Sequence, residues 1–349
     1  MGGVHLVTDR VYLRHETLPD HPERPQRLTA IWEALEGSGL RDVLTEVADV
    51  APVDADLIEA VHRPEYVAEV ARLAGAGGGM LDPDTFVAAE SYDVALRAAG
   101  GAVAAISAVG AGRADSAFAL VRPPGHHALP DRGMGFCLFN NAAIAAVAAR
   151  DRFGMRKILL VDWDVHHGNG TQAIFWRDPT VLYLSTHQEN WYPWTGAWEE
   201  VGEGEGEGFT LNVPLPPETG DEGYRLIFEE VVAPLAGAFR PDLVLISAGY
   251  DAHFADPLSA MLVTAAGFRA MTDLVVEAAG RGAGRLALVL EGGYDLPGLS
   301  TSVVATLEVL TRRTARTPPP AHRFTEVPYP VIRERIRRAR GIALNYWRI

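Results

Sequence analysis

Five short aliphatic runs, residues 116–121, 157–163, 180–185, 242–247 and 285–290, stand out because each is apolar almost throughout. A strand with no polar alternation is covered on both faces, so these runs predict buried strands. Between them, residues 140–150, 222–239 and 265–279 repeat their apolar positions at helical spacing. Strand alternating with helix predicts an α/β fold built on a single open, doubly wound, mainly parallel sheet with helices on both faces. Ligands of such sheets bind beyond the carboxyl ends of the strands. The segments that follow the runs are therefore expected on one edge: Pro123-Pro124-Gly125-His126-His127, Asp162 to His167, Ser185-Thr186-His187, Asp251 and Glu291-Gly292-Gly293-Tyr294.

Composition narrows the class without changing that picture. With 48% hydrophobic and 22% charged residues, a chain of 349 can bury a large core. No linker divides it, so the reading is one domain over 1–349, with a C-terminal extension from about residue 314 that includes the proline run 318–320. The net charge of -14 disfavours nucleic acid as a partner and suits basic peptides or polyamines; its plainer role is solubility. Cys137, the single cysteine, excludes an intrachain disulfide framework and a thiolate zinc cage and fits a cytoplasmic protein. The opening MGGVHLVTDR lacks the basic and apolar regions of an export signal, and the longest apolar stretch, 98–112, is too short and glycine-rich to span a bilayer, so no membrane is expected. Residues 331–340 carry a basic amphipathic pattern, read as a helix packed on the body or else a partner or oligomer contact.

The densest chemistry is Asp162-x-Asp164-x-His166. Alternate residues at a strand end project to one side, which groups two carboxylates and an imidazole. Such a set with an open position suits a catalytic metal ion; the alternative is that the aspartates cap the next helix and His166 is a satisfied polar residue. His126 and His127 follow a strand and a Pro-Pro-Gly turn. They offer an acid and a base near neutral pH beside that site, or are loop histidines.

Taken in order, Arg122-Pro-Pro-Gly-His-His-Ala128, Gly135-Phe-Cys137, Asp162-Trp-Asp-Val-His-His-Gly-Asn-Gly-Thr-Gln172, Ser247-Ala-Gly-Tyr-Asp251 and Glu291-Gly-Gly-Tyr294 resemble the histone deacetylase superfamily. The likeness is greatest to its class II-like branch, with the bacterial histone-deacetylase-like amidohydrolases and acetylpolyamine amidohydrolases, and runs from His21 to Leu310. The resemblance implies the arginase/deacetylase-like fold and a zinc-dependent deacetylase, the zinc held by Asp164, His166 and Asp251, with iron(II) able to replace it. It implies His127 as general base and then acid, His126 cationic or hydrogen-bonded to Asp162, and Tyr294 as donor to the tetrahedral oxyanion. Asn169 stands where some family members have a second acidic partner for the base, and an amide there should keep His127 neutral. Phe136 and Tyr192 are implied as facing walls of an acyl-chain tunnel, Gly135 as a carbonyl acceptor for the substrate amide, and Trp191, Trp194 and Trp198 as a rim or as loop packing. Arg27 lines an inner acetate-release channel or makes an ordinary salt bridge. Structural potassium is implied at Asp162, Ser185 and the carbonyls of Asp164, His166 and Thr186. A second site is implied at the carbonyls of Phe175, Asp178, Val181 and Phe209.

The amine is less defined. Leu258 stands where polyamine-preferring relatives of the class IIb type carry glutamate; leucine cannot pair with a cation, which favours acetyl-lysine in a peptide or protein over an acetylated polyamine. Asp84 either accepts hydrogen bonds from a substrate backbone or forms a turn. A catalytically silent acyl-lysine binder would need a broken triad or a missing tyrosine, and a binuclear manganese hydrolase of the arginase type would need bridging ligands this set does not provide. An oligomer is compatible with all of these readings.

Overall fold

The computed structural model describes residues 2–280, 282–316, 322 and 324–349, so the proline run 318–320 lies outside the described residues. The strands are β1 (Val4–Thr8), β2 (Leu44–Val47), β3 (Gly78–Asp82), β4 (Thr85–Ala88), β5 (Ser116–Leu120), β6 (Ile158–Asp162), β7 (Val181–Gln188), β8 (Thr210–Leu215), β9 (Leu243–Ala248) and β10 (Leu286–Leu290). The helices are α1 (Gln26–Ser38), α2 (Ala55–Glu59), α3 (Pro64–Gly75), α4 (Ser91–Gly110), α5 (Asn141–Phe153), α6 (Asn169–Phe175), α7 (Asp221–Ile227), α8 (Ala233–Phe239), α9 (Ala265–Gly280), α10 (Leu296–Thr311) and α11 (Tyr329–Ala343).

Eight strands form one sheet in the order β2-β1-β5-β10-β9-β6-β7-β8, with every neighbouring pair parallel. The expected doubly wound architecture is thus present. Every residue of β5 to β10 is buried, as strands covered on both faces must be. The order also shows how the sheet is composed. β1, β2 and β5 make one block and β6, β7 and β8 another, and the last two strands of the chain, β9 and β10, fill the gap between them.

The predicted strands agree with the observed ones to within a residue or two, except that β7 runs on to Gln188. Residues 222–239 are not one regular helix. Between α7 and α8 the backbone widens into a π-type turn at Phe228–Val232. Pro234 has no N–H to give to the carbonyl four residues earlier, that of Glu230, and Arg340 of α11 donates to it instead at 2.8 Å. Helix α4 is long and apolar enough to cross a bilayer, yet 67% of its most apolar stretch is buried inside the fold, where it packs on α5 and β5. α11 lies on β8 and α7, burying Ile332, Ile336, Ala339 and Ala343.

Candidate active site

The parallel register brings the strand ends to one level: Asp162 pairs with Ser185 of β7 and with Ser247 of β9. Just beyond β6 the backbone folds over its own carboxylates. Asp164 N–H donates to Asp162 Oδ1 (3.2 Å), His166 N–H to Asp164 Oδ1 (2.9 Å), and Val165 N–H to Asp251 Oδ1 (2.8 Å). From β10, Gly292 N–H donates to Asp164 Oδ2 at 2.8 Å. These contacts aim one oxygen of each carboxylate at the His166 ring, whose Nδ1 is 3.1 Å from Asp164 Oδ1 and 3.1 Å from Asp251 Oδ2.

Ligand atoms of Asp164, His166 and Asp251 all lie within 4.8 Å of one another, and all three residues are buried. Two buried carboxylates this close repel: burial and the charge of Asp164 push the Asp251 carboxyl up to about 6. Burial alone would lower the pKa of the His166 ring, but hydrogen bonds to both carboxylates outweigh it and raise it to about 10. The set thus calls for positive charge between its members, and one divalent cation would balance the two carboxylates. The cradle has no slack, because a Cβ on Gly292 would collide with the carboxylates of Asp251 and Asp164. The residues fit a divalent metal.

The turn after β5 places two histidines beside this triad. His126 Nδ1 lies 3.1 Å from Asp162 Oδ2, and although burial opposes its protonation, the Asp164 and Asp162 charges push its pKa up to about 10. His127 behaves oppositely. Burial first, then the positive charges of His126 and His166, holds its pKa well below the usual imidazole range. Its Nδ1 donates to Asn169 Oδ1 at 2.8 Å, which leaves Nε2 with a free lone pair. The amide therefore selects the tautomer, but contrary to expectation it does not keep the ring neutral: accepting from Nδ1–H favours the protonated ring, and burial and neighbouring positive charge outweigh it.

Sequence reasoning did not anticipate how this turn is held. Glu291, buried at the end of β10, accepts from Gly125 N–H (2.7 Å), His126 N–H (3.1 Å) and Ser247 Oγ–H (3.1 Å). Burial pushes its carboxyl up to about 7. Asp256 does the same for the next loop, accepting from Tyr294 N–H (2.6 Å) and Asp295 N–H (3.2 Å). The one hint of Asp256 was its Asp-Pro dipeptide; the Glu-Gly-Gly-Tyr motif gave no hint of a role for Glu291.

Arg27 is fully buried and its donors are spent on structure. Nε donates to Gly293 O (2.7 Å), Nη2 to Glu291 O and Nη1 to Glu23 (3.1 Å), and the guanidinium carbon lies 5.0 Å from the Tyr294 ring centre. It braces the Gly-Gly-Tyr turn. Glu23 is also gripped by Arg122, at 2.5 and 2.6 Å. Burial alone would raise the Glu23 carboxyl, but Arg122 outweighs it and holds it at about 2. Behind the Gly135 loop, His62 is buried and neutral, its Nδ1 donating to Leu129 O and its Nε2 accepting from Asn140 N–H, both at 2.9 Å; burial lowers it to about 4.

These two groups contribute acid lability in two stages. Each has a folded-state pKa below its unfolded value, so each stabilises the fold above the unfolded pKa and loses that contribution as pH falls towards the folded one. His62 acts from about 6.5 down to about 4 and Glu23 from about 4.5 down to about 2, each worth about 3 kcal/mol when fully expressed. Between pH 6.5 and 4 the urea midpoint of the wild-type protein should therefore drop relative to that of His62→Gln; parallel pH profiles for the two would refute the assignment.

Above the triad lies a cavity of 360 Å³ lined by Asp84, His127, Gly135, Phe136, His166, Trp191, Tyr192, Trp194, Pro257, Leu258 and Tyr294. The Tyr192 ring stands edge-on to His127 (5.2 Å), and Phe136 edge-on to Tyr294 (5.7 Å). Asp84 sits in the turn between β3 and β4, where Oδ1 accepts from Gly135 N–H at 3.1 Å and Thr85 Oγ–H at 2.8 Å. It thus shapes a turn and lines the cavity. Trp191 and Trp194 are at the mouth, but Trp198 is not: it is buried under Arg338, whose guanidinium carbon is 4.8 Å from its ring centre. A polar loop must still bury some apolar surface to stay down, and Trp198 supplies it.

Behind the triad, buried Asp162 also accepts from Tyr183 Oη–H (3.0 Å), Ser185 Oγ contacts His187 Nδ1 (2.9 Å), and Thr186 Oγ–H reaches Asp162 O at 3.5 Å. Phe175 and Asp178 lie at and after the end of α6, Val181 opens β7 and Phe209 precedes β8. The Phe175 carbonyl already accepts from Asp178 N–H, and that of Phe209 from Tyr183 N–H.

Known proteins resemble this chain in sequence and fold. The family model described as histone deacetylase domain matches residues 21–310. A probable deacetylase of Archaeoglobus fulgidus is 45% identical over 300 residues, covering 84% of this chain and 82% of that one. A histone deacetylase-like amidohydrolase of Pseudomonas aeruginosa is 42% identical over 334 residues, covering 94% and 87%. The crystal structure of the HDA15 HD domain superimposes with a TM-score of 0.90 at 37% identity, covering 99% of this chain and 95% of that one. Matched by the family model over residues 21–310 and by relatives above 40% identity over most of its length, the chain belongs to the histone deacetylase family of amide hydrolases.

Proposed function

We propose that the enzyme is a zinc-dependent deacetylase acting on N-ε-acetyl-lysine in peptides or proteins. One observation carries this reading: the buried Asp164–His166–Asp251 set reaches, through His166, a cavity rich in aromatic side chains that also presents His127 and Tyr294. Bound there, a zinc ion would polarise the acetyl carbonyl and acidify water. The protein's own groups do the rest. His127 Nε2 takes a proton from the attacking water and delivers it to the departing amine nitrogen. Tyr294 donates its hydroxyl to the developing oxyanion, and burial keeps that phenol protonated. Cationic His126 offsets the negative charge of the aspartates around it. The Gly135 carbonyl orients the substrate amide N–H, and Phe136 and Tyr192 flank the methylene chain.

The donor set alone does not separate zinc from iron(II), so metal analysis belongs in the test. We assign potassium to Asp162, Ser185 and the carbonyls of Asp164, His166 and Thr186, supported by the in-register pairing of Asp162 with Ser185. A second potassium is assigned to the carbonyls of Phe175, Asp178, Val181 and Phe209. Leu258 at the cavity wall supports lysine as the amine. The second reading, an acetylpolyamine, is favoured by the Asp84 carboxyl on the same wall.

Hydrolysis of an acetyl-lysine peptide should exceed that of acetylputrescine and acetylspermidine by at least about tenfold in kcat/KM. Chelation should abolish it, and restoration should track one zinc per chain. Faster polyamine turnover would replace lysine by the second reading, and undiminished activity in metal-free protein would sink the zinc assignment.

A further inference from the structure

We propose that the C-terminal helix α11, beyond the residues matched by the family model, sets the substrate rim, with Arg335 and Arg338 as positioning residues for the loop that carries Trp191, Tyr192 and Trp194. The proposal rests on reading the 360 Å³ cavity as the substrate channel.

The loop after β7 is held from two sides of its base, and at its tip Trp191 Nε1–H donates to Leu258 O at 2.8 Å. On its inner side His167 Nδ1 meets Thr195 Oγ at 2.7 Å, His187 Nε2 donates to Gly196 O at 3.1 Å, and Glu200 accepts from Gly196 N–H (3.1 Å) and Gln172 (2.6 Å). On its outer side the hold comes from α11. Arg335 Nη2 reaches both oxygens of Glu189, at 2.8 and 3.0 Å, with both side chains under a quarter exposed. Arg338 donates to Glu199 at 2.7 Å and covers the Trp198 ring. The channel-lining residues lie between these two anchors: Tyr192 comes three residues after Glu189, and Trp194 four before Trp198. Trp194 is 74% exposed with a left-handed backbone (φ 66°), so little of its own packing holds it in place.

Past α11 the tail grips the next stretch, Tyr346 Oη–H on Glu207 (3.1 Å) and Trp347 Nε1–H on Gly208 O (2.8 Å). A basic helix face thus meets an acidic loop along one seam. The triad, His127 and Tyr294 sit on other strand ends, so loosening the seam disturbs grip on the substrate before it disturbs chemistry.

The test uses the full chain. With Arg335→Ala and Arg338→Ala, KM for an acetyl-lysine peptide should rise about fivefold or more while kcat stays within about twofold. A minimal acetamide that does not reach the rim should show neither change. Amide exchange across 189–200 should quicken about tenfold in Arg335→Ala, as expected when a local opening becomes easier. The charge swap Glu189→Arg with Arg335→Glu should restore both KM and exchange. Unaltered KM, parallel losses of kcat and folded protein, or failure of the swap would each overturn the proposal. An inactive wild-type enzyme would instead refute the channel reading, and the exchange data would then judge the clamp alone.

Discussion

His127→Ala should lower kcat on an acetyl-lysine peptide by about 100- to 10,000-fold, the span typical of a lost general base. The ring is the one group in the cavity that combines a neutral state with a lone pair directed away from its own hydrogen bond, since Nδ1–H is committed to Asn169. His126 cannot take over, because it faces the Asp162 and Asp164 carboxylates and is held protonated by them. Bound metal should be unchanged, because the triad keeps its own backbone contacts from Val165, His166 and Gly292. Steady-state kinetics paired with metal analysis decides: a loss below about tenfold would move the proton transfer to another group, and a loss that followed metal content would make His127 a structural residue.

Tyr294→Phe should cost about 100- to 1,000-fold in kcat with little change in KM, the signature of a hydrogen bond that strengthens only as the oxyanion forms. The phenol is well placed for this because its backbone is fixed from both sides. Asp256 holds the Tyr294 N–H at 2.6 Å, while Arg27 holds the preceding carbonyl, that of Gly293, at 2.7 Å. Arg27 should therefore fail in the same direction, Arg27→Ala lowering kcat through the turn it braces. A Tyr294→Phe enzyme with raised KM and normal kcat would show that the hydroxyl binds the ground state.

How much of this was legible in the chain follows from where each residue sits. The central strands carry uninterrupted aliphatic runs and declare themselves. β8 does not, because it contains Asn212 and Pro214, which are tolerated at the sheet edge where one side of the backbone needs no partner. β2 is four residues long and half exposed, and β3 opens on two glycines, so neither produces a strand pattern. The reactive residues were legible for a local reason: each follows a strand whose end is visible. Residues that act on another loop were not. Glu291 reaches the His126 turn and Asp256 the Tyr294 turn across gaps of 165 and 38 residues, and only tertiary placement reveals such pairings. The C-terminal basic segment could be read as a helix, but the carboxylates that meet it come from a loop more than a hundred residues earlier.

The strand order has a consequence for biosynthesis. The two outer blocks of the sheet are complete once β8 has left the ribosome, yet they have no common edge until β9 and β10 are inserted between them. His126 and His127 belong to one block and Asp164 and His166 to the other, while Asp251 and Tyr294 arrive with the strands that join them. A nascent chain shorter than about 290 residues therefore carries exposed hydrophobic strand edges and no finished site. The site is therefore finished last: its three candidate metal ligands come together only once Asp251 has been made, and Tyr294 joins them only with the strand that closes the sheet.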